Sequence, residues 1–274
     1  MNLKQNSLIV TIVAILLFHS GCSQVGQYNS FSTDEEIRIG EQYSSQIEKN
    51  ISLNKNEELN RYINELGQRM VLVSKRNSIQ FTFKVVNDPA VNAFALPGGY
   101  CYVNTGLILF AENEAQLASV IGHEIGHVVA AHSVKRMSKS RLINQALFIG
   151  EVLGMIFIGQ RTTENALAVA DLASTGVLLK YSRNDELEAD RLGIQQMHDA
   201  GIDPKGSQQF FKKIASKDAR RNSGINQFLS THPATEDRID QAANLVKKLP
   251  VKKYKSISKE RFNKIKEIVK KSER

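Results

Sequence analysis

An α-helix turns about 100° per residue, so the pentapeptide His123-Glu124-Ile125-Gly126-His127 sends two imidazoles out of one helix face with a carboxylate beside them. No other segment constrains the chain as much as this H-E-x-x-H spacing. Two neutral imidazoles supply nitrogen donors for a tetrahedral metal, and Glu124 then stands beside the open coordination position, where an attacking water needs a general base. His123 and His127 are therefore candidate metal ligands, and Glu124 is the candidate base of a zinc hydrolase. A helix that merely happens to carry two histidines is the competing reading, and a third ligand elsewhere in the chain is what separates the two.

That ligand does not follow immediately. A histidine six residues past His127 would complete one zinc-protease pattern, but Ser133 stands there and His132 comes one residue early. On a continuous helix His132 lies roughly 180° round from His123, so it is expected to point away from the metal and to be structural or to support a ligand from behind. A better source is the run from Tyr181 to Asp190. There Glu186 and Asp190, at i and i+4, share a face, whereas Glu188 falls opposite. Glu186 is the expected carboxylate ligand, and Asp190 the acceptor that holds His123 in its metal-binding tautomer. Without the preceding H-E-x-x-H, the same run would read as the solvated acidic face of a helix.

Together, His123 to His127 and Glu186-Leu187-Glu188-Ala189-Asp190 resemble the HtpX-type zinc metallopeptidase family, which also contains the CAAX prenyl protease. Asn92 to Gly99 resembles that family's strand and turn ahead of the metal helix. Tyr181-Ser182-Arg183 resembles the lead into its second metal helix, and Thr231-His232-Pro233, with Arg238 beyond, its C-terminal His-Pro segment. The resemblance runs in consistent order over residues 34 to 246 and is closest in build to small periplasmic lipoproteins of the family. It implies one zinc ion per chain, endopeptidase chemistry on unfolded or misfolded envelope polypeptides, and a gluzincin-like domain. It also implies that His232 donates to a developing oxyanion or else reaches the metal and blocks it. A turn histidine before Pro233 is the plain alternative, and Arg238 is a weaker candidate for the oxyanion.

The N-terminus bears on location. Lys4 precedes an apolar stretch, Leu8 to Phe18, too short to span a bilayer comfortably, as in the apolar region of a secretory leader. It ends at His19-Ser20-Gly21-Cys22. Residues 1–21 are expected to form a lipoprotein-type signal peptide and Cys22 to be the lipidated residue, although His19 departs from the usual leucine. Ser23 after the cysteine favours the outer membrane of a Gram-negative cell, with the protein on the periplasmic side. An uncleaved signal anchor is the alternative. Cys101, in the alternating run Tyr100 to Val103, then has no disulfide partner and reads as a small buried hydrophobe.

Charge is unevenly placed. The formal net charge is +8, yet residues 247–274 alone carry twelve Lys or Arg against three Glu, so the remainder is close to neutral. A basic surface confined to one end, on a chain with a secretory leader, argues against a nucleic-acid partner. Phe262, Ile265, Ile268 and Val269 form an apolar stripe in this tail. Such a basic amphipathic helix can lie on anionic headgroups near the lipid anchor, or pack on the domain with its charges solvated.

The expected organisation is a polar lipidated linker at 22–32, one metallopeptidase domain at 33–246 and the basic tail at 247–274. Thr33 with Glu36 suggests a capping box opening a helix to about Lys49, and a second helix covers Glu57 to Ser74. Phe81, Phe83 and Val85 alternate with polar residues as a strand does, and Pro97-Gly98-Gly99 separates two more apolar runs in hairpin fashion. A helix capped near Asn113 carries both histidines and continues to about Met137. The fold class is α+β, mainly helical, with a small sheet whose edge strand lies beside the H-E-x-x-H helix. That edge, at Asn92, Ala93 and Phe94, is the expected place for an extended substrate to add by main-chain pairing. Ala146 to Ile158, too short for a span, is a core helix by default, with a lid or a client-binding surface as alternatives; Ala166 to Leu179 reads as core. Two function classes remain open: a zinc endopeptidase, or an assembly and chaperone factor whose zinc site is latent.

Overall fold

Ser32, one residue ahead of the expected Thr33, caps the first helix. The computed structural model describes residues 29–143, 181–216, 224–254 and 259–272. The leader, Cys22 and the two apolar stretches Ala146 to Ile158 and Ala166 to Leu179 lie outside the described residues. In helix α1 (Thr33–Ile47) the Ser32 hydroxyl accepts from the Glu35 amide at 3.2 Å, and the Glu35 carboxylate accepts from the Ser32 amide at 2.8 Å, a reciprocal capping box. Glu36 is thereby free for another use. It is buried, accepts from Arg76 Nη2 at 2.6 Å and from the Gly98 amide at 3.3 Å, and so ties α1 to the hairpin turn.

Helix α2 (Glu57–Val71), capped by Asn56, precedes β1 (Thr82–Val86). Strand β2 (Ala93–Leu96) turns through Pro97–Gly99 into β3 (Tyr100–Asn104), with Gly98 and Gly99 at φ of 72° and 91°, where a Cβ is disfavoured. The sheet order is β1-β3-β2. β3 pairs in parallel with β1 and antiparallel with β2, so β2 is an edge. Phe81, Phe83 and Val85 all enter the main core, as their alternation predicts.

Short helix α3 (Thr105–Phe110) leads to α4 (Glu114–Val129), capped by Asn113 and carrying His123, Glu124 and His127. Contrary to expectation, α4 does not run on to Met137. It stops at Ala130, Ala131 adopts φ of 56°, and a separate helix, α5 (His132–Ile143), follows. A left-handed alanine costs about 1–2 kcal/mol, so this break is held by its surroundings.

The remaining helices among the described residues are α6 (Arg183–Asp199), α7 (Lys205–Ala215), α8 (Ile225–Thr231), α9 (Glu236–Lys248) and α10 (Lys259–Ser272). Phe262, Ile265 and Val269 of α10 are buried in the main core, each such side chain contributing roughly 1.5–3 kcal/mol. Arg261 pairs with Glu65 and Lys264 with Glu58, both at 2.6 Å, on α2. The apolar stripe of the basic tail therefore faces protein and is not available to a lipid surface, because the core needs it for closure. Among the described residues no helix is long and apolar enough to cross a membrane.

The site depends on how closely α4 and α6 approach. A Cβ on Gly126 would stand 2.6 Å from the Ala189 carbonyl oxygen, and one on Gly193 would stand 2.8–2.9 Å from backbone atoms of Gly122 and His123. Backbone cannot step aside as a flexible side chain can. Gly193→Ala is expected to force the helices apart, lowering stability by about 1–3 kcal/mol or more and separating Glu186 from the histidines. Thermal denaturation with a zinc-binding assay checks both effects; an unchanged melting temperature with full zinc binding would contradict the account.

Candidate metal centre

Helix α4 presents His123 and His127 one turn apart, α6 presents Glu186 in its first turn and Asp190 one turn later, the end of α8 brings in His232, and the first turn of α9 brings in Arg238. All six are buried. His123 Nε2 and His127 Nε2 lie 2.9 Å apart, and Glu186 carboxylate oxygens stand 3.4 and 3.5 Å from them. His232 Nδ1 is 3.1 Å from His123 Nε2 and 3.0 Å from Glu186 Oε1. The facing donor atoms of His123, His127, Glu186 and His232 all lie within 4.8 Å of one another.

This donor set fits a divalent cation. The edge of a tetrahedron with nitrogen ligands near 2.05 Å is roughly 3.3 Å, comparable to these spacings. Three imidazole nitrogens and a carboxylate, with no sulfur, suit zinc and its borderline neighbours. The electrostatics agree. Burial works against a charge on His123, yet the carboxylates of Glu186 and Asp190 outweigh it and raise its pKa to about 10, a measure of how strongly the site attracts positive charge. His127, depressed by burial and by its neighbour His123, sits well below the usual histidine range.

Each ligand nitrogen has a partner behind it. His123 Nδ1 is 2.8 Å from Asp190 Oδ1, the contact anticipated from the i, i+4 spacing. Burial would push the Asp190 carboxyl up, but the hydrogen bonds and charge of Arg238, reinforced by His123, hold it low. Arg238 donates from Nε to Asp190 Oδ2 at 2.7 Å and from Nη2 to Oδ1 at 2.8 Å, a bidentate pair. Its Nη1 is 2.7 Å from Glu186 Oε2 and 2.9 Å from the Pro233 carbonyl oxygen. The guanidinium is thus committed to the two carboxylates and the Pro233 carbonyl, which leaves it little freedom for the oxyanion role the sequence suggested. His232 is no mere turn residue, since it lies inside the donor set with Nε2 3.5 Å from Glu124 Oε1.

Glu124 points to the same centre. The Ala95 amide donates to its carboxylate, whereas Oε1 is buried with no hydrogen-bond partner, and burial raises its pKa. Such an orphaned oxygen is costly unless it has a task. Ala95 belongs to the edge strand. The Asn104 amide donates to the Asn92 carbonyl oxygen at 3.0 Å, so in an antiparallel ladder Phe94 also pairs with β3, while the main-chain groups of Ala93 and Ala95 turn the other way. Of the three residues expected to receive substrate, only Ala93 offers its main chain. Asn92 and Phe94 are used by β3, and the Phe94 ring stacks on Tyr102 at 4.9 Å.

Sequence reasoning missed one neighbour, Tyr181, and left the other, His132, as structural or as support behind a ligand, without naming its partner. The Tyr181 ring stacks on His127 with centroids 3.8 Å apart, its hydroxyl 2.8 Å from Ser133 Oγ. His132 folds back so that its Nδ1 is 2.9 Å from His127 Nδ1, where a continuous helix would have turned it away. Nothing in the local sequence signals the left-handed Ala131 that causes this.

Comparison with known proteins follows the same residues. The beta-barrel assembly-enhancing protease of Escherichia coli K12 is 33% identical over 221 residues, 79% of this chain and 45% of that protein. A putative protein of the same description from Vibrio cholerae is 32% identical over 225 residues, 81% of this chain and 46% of its own. The mitochondrial metalloendopeptidase OMA1 of Schizosaccharomyces pombe is 29% identical over 195 residues, 71% and 55% respectively. The chain spans about half the length of the curated relatives it matches. Residues 57–246, from the start of α2 into the last turn of α9 and so including every donor described above, match the family described as Peptidase family M48, and the chain belongs to that family.

Proposed function

We propose that this protein is a zinc-dependent metalloendopeptidase of the bacterial cell envelope that hydrolyses peptide bonds of misfolded or mislocalised envelope proteins. The carrying observation is the convergence of His123, His127 and Glu186 on one point, with Glu124 Oε1, which makes no hydrogen bond, alongside. Zinc, one ion per chain, is the cation this nitrogen-and-carboxylate set suits, and when bound it supplies Lewis-acid polarisation of the scissile carbonyl and a more acidic water. Glu124 takes the proton of the attacking water and passes it to the leaving nitrogen, while the Ala95 amide keeps its carboxylate oriented. Burial raises the proton affinity of Glu124 and so makes it a better base than an exposed carboxylate. Ala93 offers main-chain groups with which an extended segment pairs, giving low side-chain selectivity.

Cys22 is the lipidated residue that anchors the protein at the periplasmic face of the outer membrane. Relatives named for enhancing beta-barrel assembly support unfolded β-barrel polypeptides of that membrane as clients. His232 supports a latent resting state: its Nδ1 occupies the fourth side of the donor set, and once displaced the imidazole is free to donate to the developing oxyanion.

The purified protein should contain one zinc per chain, cleave unfolded casein, lose cleavage on chelation and regain it with stoichiometric zinc. His232→Ala should cleave several-fold faster if the imidazole closes the resting site, and slower if its main work is on the oxyanion. Stoichiometric zinc without cleavage by any variant, even of unfolded β-barrel proteins, would move the reading to an assembly factor that binds clients over a latent zinc site. The position of His232 also supports that second reading.

A further inference from the structure

His127 lacks the carboxylate that stands behind His123. Behind it instead is His132, 3% exposed, with the two Nδ1 atoms 2.9 Å apart. The far nitrogen of His132, Nε2, is 3.4 Å from Glu188 Oε2 and 3.6 Å from Asp185 Oδ1. Asp185 Oδ2 is engaged with the Ser182 cap, so Glu188 is the freer acceptor, and at 45% exposure it is partly solvated. Five residues of unbroken helix would rotate His132 about 140° from His127. Only the left-handed turn at Ala131 brings the rings together.

The two contacts determine where the protons lie. One hydrogen is shared between the facing Nδ1 atoms. A carboxylate opposite His132 Nε2 favours the tautomer protonated there, which leaves its Nδ1 with a lone pair. His127 must then carry its hydrogen on Nδ1, and its Nε2, facing Glu186 and His123, keeps the lone pair that a metal requires. We propose that His132 is a positioning residue for His127: it accepts the His127 Nδ1–H, passes orientation on to Glu188 through its own Nε2–H, and so sets the metal-binding tautomer and ring angle of His127. The inference rests on the reading of His127 as a metal ligand.

There is a physical reason for an imidazole rather than a carboxylate at this position. Glu124, Glu186 and Asp190 are already buried at the centre, with Arg238 as the compensating side-chain cation. A fourth carboxylate would add an uncompensated buried charge. A neutral ring carries the same orienting hydrogen bond and moves the negative end out to Glu188, where water screens it.

The test measures zinc affinity of the full chain by chelator competition, together with the visible spectrum of the cobalt-substituted protein. His132→Leu removes the acceptor, His132→Gln keeps an amide but displaces it from the Nδ1 position, and His132→Asn restores an oxygen close to that position. Leu and Gln should bind zinc about 10–100-fold more weakly and perturb the cobalt spectrum, while Asn recovers most of both. Should Leu and Gln match wild type, or should Asn prove as weak as Leu, the positioning role is overturned. One zinc in the wild type, lost in His127→Ala, keeps the reading of His127 intact in either case. A wild type without zinc, or a His127→Ala that binds normally, overturns both.

Discussion

Glu124→Gln is expected to lower zinc-dependent proteolysis by roughly 10²–10⁴-fold, the usual contribution of a positioned general base, while leaving zinc stoichiometry unchanged. Glu124 is outside the donor set, and a glutamine oxygen can still accept from the Ala95 amide, so the centre should stay assembled. The same substitution should leave the protein as stable as wild type or more so. Glu124 is 3% exposed, its Oε1 has no hydrogen-bond partner, and burial opposes its ionisation. A neutral amide of the same shape removes that penalty. Rates on casein, metal analysis and a melting curve read all three quantities. A variant that cleaves at the wild-type rate would remove Glu124 from the mechanism, and one that is inactive only because it has lost zinc would reduce it to a structural role.

Arg238→Met should produce the largest loss of stability. The guanidinium is 2% exposed and holds Asp190 with two hydrogen bonds and Glu186 with a 2.7 Å contact, so its removal leaves two buried carboxylates without their cation. Breaking a buried pair by deleting one partner costs about 3–5 kcal/mol. For a domain of this size that is a fall on the order of 10 °C in melting temperature. Methionine retains much of the packing against Phe211, which isolates the charge effect. Two features distinguish this from general disruption. Zinc should stabilise the variant more than it stabilises wild type, because the ion supplies part of the missing positive charge. Adding Asp190→Asn should recover part of the loss, a non-additivity expected of contacting groups. A metal-free variant melting within a degree of metal-free wild type would show that the arginine is not the counter-charge described here.

These two residues differ in how visible they are from the chain alone. The role of Glu124 follows from its place between two histidines on one helix. Arg238 stands 48 residues from Asp190, and no pattern links them until α9 packs against α6. The capping box was legible but one residue displaced, because Ser32 and Thr33 are both good caps and only the burial of Glu36 decides between them. The stripe in α10 was legible as amphipathic; whether it met lipid or core was not, since periodicity describes a face and not what covers it.

What the sequence determined by itself was the local chemistry: the H-E-x-x-H helix, the shared face of Glu186 and Asp190, the strand alternation through Phe81 to Val85, and the turn at Gly98 and Gly99. Each follows from helix or strand geometry acting over a few residues. Tertiary structure decided the rest. It brought His232 to the donor set from 109 residues beyond His123, tied Arg238 to the two carboxylates and bent the chain at Ala131 so that His132 reaches His127. Those arrangements come from close contact between helices distant in sequence, where backbone approach and buried charge, not local propensity, select the geometry.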